Sequence, residues 1–179
     1  GSIDSAKIAN AAITSANIGD AQVNTLQIAG EAVIVPRAQY TPNTEVFYGN
    51  GEFVLNSVTI NSMGGAVAIQ ISIFELLASA KGLTPNTVQY LQVKRNDTVL
   101  RVFSFTHTGL TQETIDATFA SNPDALYPKL VTTGAFPTIL DAPPSGNNTY
   151  RLVLSVTGSN NGFMSTISER SLYLMGAKR

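Results

Sequence analysis

A large aliphatic residue returns at every fifth position through the first thirty-three residues: Ile3, Ile8, Ile13, Ile18, Val23, Ile28 and Val33. Two places before each of four of them stands an alanine (Ala6, Ala11, Ala16, Ala21), and Leu26 takes that place before Ile28. Neither a single helix nor a flat strand can use such a period. At roughly 100° per residue, successive members fall about 140° apart around a helix, so no apolar stripe forms. In a strand, an odd spacing sends alternate members to opposite faces.

A coil of β-like segments makes the positions equivalent, each repeat supplying one inward aliphatic residue and one small neighbour. Asn, Asp, Ser, Thr and Gly between them supply the turn conformations. Taken alone, the A-x-I-x-x pattern resembles the pentapeptide-repeat solenoids, but about six repeats are too few to close a solenoid core. Burying one isoleucine stabilises by roughly 1.5–3 kcal/mol. Ordering each residue costs on the order of 1.5 kcal/mol, so one isoleucine per five residues cannot hold a lone rod together. Three chains wound on a common axis remove the deficit, because each isoleucine then meets its symmetry mates. Residues 1–35 therefore read as one strand of a homotrimeric β-stem, with Ile3, Ile8, Ile13, Ile18, Val23, Ile28 and Val33 facing the axis.

Beyond Val33 the composition changes, and Pro36 and Pro42 suggest an irregular connector over 36–51. From residue 52 to 179 strand signals are dense, and a β-sandwich head of jelly-roll-like or immunoglobulin-like type is expected. "FVLNSVTINSMGGAVAIQISIF" reads as a hairpin about Gly64-Gly65, with a bulge or bend at Asn56-Ser57 where the alternation slips. "VQYLQVKRNDTVLRVFSF" reads as a second hairpin turning at Asn96-Asp97, with Phe103 and Phe105 on one face. Tyr150, Leu152, Leu154 and Val156 alternate inward, as do Leu172 and Leu174. Two short helices are predicted, over "FELLASAKG" and "TQETIDATF", the latter pairing Ile115 with Phe119. From His107 to Gly134 no period of two is visible.

The charge balance narrows the function classes. Charged residues make up 13% of the 179 and the net charge is −1, which gives no electrostatic footprint for nucleic acid or an anionic membrane. No apolar run reaches the roughly 18 residues of a membrane span, and no signal peptide is expected. With no cysteine and a single histidine, His107, no thiolate site, metal cluster or histidine-based triad is expected, and no cofactor.

The stretch "AKIANAAITSANIGDAQVNTLQIAGEAV" resembles the stalk that precedes the C-terminal domain of phage central tail fibres and of the host-specificity (tip attachment) proteins of lambda-like siphophages. "DAPPSGNNTYRL" (Asp141, Pro143, Gly146, Thr149, Tyr150, Leu152) and "RSLYLMGAKR" (Arg170, Leu172, Lys178, Arg179) are similar, more loosely, to the closing strands of terminal phage-fibre domains. Residues 40–135 match no such pattern. The resemblance implies a homotrimeric virion protein at the distal end of a phage tail, assembled in the host cytoplasm and joined to other tail proteins upstream. Its partner is then a receptor on the bacterial outer surface, protein or glycan, and its mode is adhesion.

Two rival expectations stand beside it. One is a structural, trimerising module without receptor contact. The other is a polysaccharide-degrading tailspike using a pair among Glu45, Glu52, Asp116, Asp124, Asp141 and Glu169. A short sandwich leaves little room for a catalytic groove, so no enzymatic activity is expected. "DAPPSGNNTY" reads as a rigid turn that sends Tyr150 inward, and Glu169 with Arg170 as a pair across subunits. Receptor contacts are expected on the loops of the head, within 107–130 with help from 40–50 and 157–163, because loops vary without disturbing a core. The candidates are Tyr127, Asp124, Phe119, Tyr48 and Phe163.

Overall fold

Alternation of buried and exposed side chains runs through most of the chain beyond residue 32, and it produces twelve strands in a computed structural model that describes residues 33–107, 110–130 and 136–178. The stem positions Ile3, Ile8, Ile13, Ile18, Val23 and Ile28 lie outside the described residues. Three four-stranded antiparallel sheets result. The first has the order β1 (Val33–Thr41), β12 (Arg170–Lys178), β4 (Val67–Ile73), β9 (Ile139–Asp141). The second has the order β2 (Glu45–Tyr48), β11 (Met164–Ile167), β5 (Glu75–Ser79), β8 (Leu126–Leu130). The third has the order β3 (Gly51–Ser62), β10 (Gly146–Thr157), β6 (Val88–Arg95), β7 (Thr98–Thr106).

The first two sheets are halves of one bent layer. β1 leads into β2 across Pro42, β4 into β5 across Phe74, and β11 into β12 across Ser168 and Glu169, all in the same lateral order. Backbone bonds cross the crease from Phe74 N–H to Glu169 O (2.9 Å) and from Ser168 N–H to Glu75 O (3.2 Å). Counted as long strands, the bent layer runs first, eighth, third, sixth, and the opposing layer second, seventh, fourth, fifth. That order is a jelly roll, two interleaved Greek keys that bury one face of each layer. The expected all-β sandwich is the observed architecture.

Polar side chains tie the layers together at three heights. At one end Arg95 Nη1 donates to both carboxylate oxygens of Asp141 (2.8 and 2.9 Å), and the Tyr150 hydroxyl donates to Asp141 Oδ2 (2.7 Å). In the middle Arg170, only 2% exposed, donates to Leu55 O (3.4 Å), Asn43 O (3.2 Å) and the Glu45 carboxylate. Near the other end Gln89 Nε2 donates to Ser165 Oγ (2.9 Å) and Leu77 O (3.3 Å).

Local readings of the sequence hold where one strand suffices. The β6–β7 hairpin turns at Asn96, which sits at φ 51°, and Phe103 and Phe105 both pack on the core. Tyr150, Leu152, Leu154, Val156, Leu172 and Leu174 are buried. The β3 bulge falls at Leu55, where Leu152 faces Asn56 and Val153 faces Val54, one residue from its expected place.

Several expectations need correction. β3 and β4 are not a hairpin: β3 pairs with β10, and β4 with β12 and β9, so Gly64-Gly65 carries the chain from one layer to the other. The predicted helix over "FELLASAKG" is strand β5, with Leu76 and Ala78 buried by simple alternation. Residues 36–51 are not an irregular connector but carry most of β1 and all of β2. Val33 opens β1 in register with Lys178, so the expected division at residue 35 falls inside a paired strand. Arg170, expected to pair with Glu169 across subunits, instead turns inward to Glu45 of its own chain, and Glu169 accepts from the Tyr40 hydroxyl (3.0 Å).

The outer faces of the two layers differ in charge. On the bent layer, the outward rows are Pro36–Met175–Ala68–Leu140, Ala38–Tyr173–Gln70 and Tyr40–Ser171–Ser72, continued by Val46–Thr166–Leu77 and Tyr48–Met164. None of these residues is charged; Glu75 and Glu169 stand at the crease. The opposing layer carries the ion pairs Glu52–Lys94 (2.7 Å) and Asp97–Arg151 (3.7 Å) on its outer side.

Candidate functional site

Four connections meet at the end of the sandwich away from Val33 and Lys178: 49–50, 80–87, 107–125 and 158–163. Hydrogen bonds lace them to one another. Gly49 N–H donates to Phe163 O (2.8 Å), Asn160 N–H to Gly82 O (2.7 Å) and Ala80 N–H to Ala125 O (2.8 Å). Asn50 Oδ1 accepts from the backbone N–H and hydroxyl of Ser159 (3.0 and 2.8 Å), while its Nδ2 donates to Ser159 O (3.0 Å). The Thr84 hydroxyl donates to Gly158 O (2.6 Å), and Thr87 Oγ1 accepts from Thr84 N–H (2.9 Å).

Two glycines make this closeness possible. Gly158 has φ +73°, and a Cβ there would lie 2.3 Å from Asn86 O. Gly82 has φ +74°, and its Cβ would lie 2.4 Å from Phe163 N. No side chain can enter either position without moving backbone. The loops are thus held in fixed positions by their own backbone packing.

The helix α1 (Gln112–Ser121) stands in the longest connection. Thr111 caps it by accepting from Thr114 N–H (3.2 Å), and Ile115 is its buried anchor. Gln112, Glu113, Asp116, Ala117 and Ala120 face solvent, and the turn at Asn122-Pro123-Asp124 continues that exposed surface. The predicted helix over "TQETIDATF" is therefore present. The expected strandless run to Gly134 is shorter than the sequence suggests, since β8 begins at Leu126.

The candidates taken from the sequence divide. Asp124 is exposed at the loop end, its N–H donating to Asn122 Oδ1 (3.2 Å). Phe119 is half-buried on α1. Tyr127 points inward beside Ala78, packs on the core, and its buried hydroxyl has no hydrogen-bond partner among the described residues. Tyr48 is 67% exposed but lies on the outer face of β2, next to the loop rather than on it. Phe163 is a correction: it is 0% exposed and belongs to the hydrophobic core, because the laced turn at Gly158–Gly162 brings it under the loops.

The connection 80–87 escapes the sequence reading, whose helical spacing runs into it. Its exposed Lys81, Pro85 and Asn86 join Asn160 and Asn161 on the same surface. The Pro85-Asn86 pair is the available turn signal. This surface offers amide, hydroxyl and carboxylate groups in fixed places, a chemistry suited to hydrogen-bonded recognition.

Among the described residues no group of three His, Cys, Asp or Glu side chains is placed to hold a metal ion. Two shallow depressions lie elsewhere, one of about 220 Å³ beside Gln70, Phe136 and Tyr173, the other of about 250 Å³ between Glu52, Lys94 and Arg151. Both are smaller than the roughly 300–1,000 Å³ of small-molecule pockets. Burial, and then the hydrogen bond to Asp141, push the Tyr150 hydroxyl far above its usual range. The Tyr40 hydroxyl is raised chiefly by its bond to Glu169.

No protein-family model matches the chain, and no curated protein matches it. Solved structures do show likeness. The VP2 subviral particle of infectious bursal disease virus aligns over 79% of this chain and 33% of its own, at 14% identity and a TM-score of 0.40. Dimeric latent PorU from Porphyromonas gingivalis aligns over 80% of this chain and 12% of its own, at 13% identity and 0.37. The CBM36-1 domain of a multidomain xylanase from the hindgut metagenome of Trinervitermes trinervoides aligns over 76% and 96%, at 13% identity and 0.32. The chain thus spans a third of the length of VP2 and much less of PorU.

Proposed function

We propose that this chain is the receptor-binding tip of a phage tail fibre, a homotrimer that attaches the virion to a bacterial surface by adhesion rather than by chemistry. One observation carries the reading: the five-residue repeat runs without interruption to Val33, and Val33 is also the first residue of β1. The laced loops lie at the end of the jelly roll away from Val33 and Lys178, free to meet a surface. Three loop ends on one stem raise the effective concentration of each contact at a surface, so weak individual contacts become durable attachment.

Adsorption competition tests the proposal, with the purified chain set against infecting phage on several hosts. Blocking of adsorption on a susceptible host is the expected result. Loss of blocking in a variant carrying Asp124→Ala and Asn161→Ala, with mass and melting temperature kept, assigns the contact to the loop end. A chain that never competes and never binds cells favours a purely structural module of the fibre. Release of sugar from purified surface polysaccharide favours the tailspike.

A further inference from the structure

We propose that the laced loop end recognises an uncharged surface glycan rather than a protein. The inference rests on the receptor-binding reading and names the class of receptor. It starts from three side-chain amides on two interlocked turns. Asn86 N–H donates to Thr84 Oγ1 (3.2 Å), Asn160 N–H donates to Gly82 O (2.7 Å), and Asn160 O accepts from Phe163 N–H (3.3 Å). Asn161 follows in the same turn. The backbones are thus engaged, while Asn86, Asn160 and Asn161 are exposed and their amide heads make no hydrogen bond among the described residues. Lys81 joins them, because its stem lies along Gly162, where a Cβ would fall 2.8 Å from Lys81 Cε.

A primary amide offers two donors and a carbonyl acceptor. A hydroxyl is both donor and acceptor, so a chain of sugars matches these heads directly. Holding them on fixed backbones reduces what must be ordered when the chain binds. A protein partner calls for other anchors, since the residues that dominate protein interfaces are chiefly Trp, Tyr and Arg. The connections 49–50, 80–87, 107–125 and 158–163 contain none of these three. Of their two phenylalanines, Phe163 is buried and Phe119 half-buried, and the exposed ring of Tyr48 lies beside them on β2. Charge narrows the class further. Glu113, Asp116 and Asp124 stand against Lys81 in these connections, so an anionic chain would meet like charge.

The test uses the full chain, labelled, on cells of a host to which it binds. One portion of cells is treated with periodate, which cleaves vicinal diols, and another with protease; purified surface polysaccharide of the same host serves as competitor. The expected result is a loss of at least about tenfold on periodate-treated cells, binding kept on protease-treated cells, and competition by the polysaccharide. Binding should also change less than about twofold between about 0.1 and 0.5 M salt. A variant carrying Asn86→Ala and Asn160→Ala, with mass and melting temperature kept, should bind at least about tenfold more weakly. Loss on protease-treated cells alone makes the receptor a protein, which overturns the glycan and leaves the receptor-binding reading standing. A steep loss with salt overturns the uncharged ligand, and full binding by the variant overturns the assignment to these amides. Failure to bind cells of any host overturns both readings.

Discussion

Asp141 is the acceptor on which one end of the sandwich converges, taking hydrogen bonds from Arg95 and Tyr150 of the opposite layer. Because the folded state holds the Tyr150 proton more tightly than the unfolded chain does, stability is complete below the unfolded value near 10.0 and falls as pH rises above it. Tyr150→Phe is expected to cost about 1 kcal/mol at neutral pH. It should also flatten the alkaline fall, as urea titrations at rising pH would show. Arg170 presents the opposite case, a buried cation serving two carbonyls and one carboxylate. Arg170→Met keeps the apolar stem and removes the donors, so Leu55 O and Asn43 O lose their partners, at about 2–3 kcal/mol. An unchanged urea midpoint would contradict that role. At Gly158 the objection to a side chain is both conformational and steric, and Gly158→Ala should lower the melting temperature and loosen the contact with Thr84 and Asn86.

Among the elements, α1 depends on few contacts: one cap at Thr111, one buried anchor at Ile115 and a half-buried Phe119. Ile115→Ala is expected to speed hydrogen exchange of amides 112–121 far more than those of β10, because local opening needs only that anchor to leave. Equal acceleration in β10 would show that the helix and the core open as one. The same helix is legible in the sequence because its cap and its apolar pair are local features. β10 and β12 are legible for a like reason, since alternation records only that one face is buried. What the residues do not disclose is choice of partner. Gly64-Gly65 permits a reversal, yet the reversal crosses between layers, and turn chemistry is indifferent to which strand waits on the far side. β5 passes for a helix because Leu76, Leu77 and Ala80 satisfy a helical spacing as readily as a strand's. Phe163 passes for a surface residue because a turn rich in Asn and Gly suggests exposure, whereas the turn itself is the lid over that ring.

At the scale of the molecule, the proposed trimer of 19.0 kDa chains would have a mass of about 57 kDa, and light scattering is the check of that proposal. Ile13→Asp should put three carboxylates on one axial layer, at several kcal/mol per ion. An unchanged thermal transition and mass would remove that position from an axis. The sandwich is legible as a class, but the convergence of four connections at one end is not, because it follows from strand order and not from any loop's own residues. The register of β1 on β12 has a mechanical consequence. Nine residue pairs, Val33↔Lys178 through Thr41↔Arg170, lie along one line. Tension between residue 33 and an object held at the far loops pulls parallel to that line. The pairs are then loaded in shear and must yield together, whereas a strand peeled from its end would surrender them one by one.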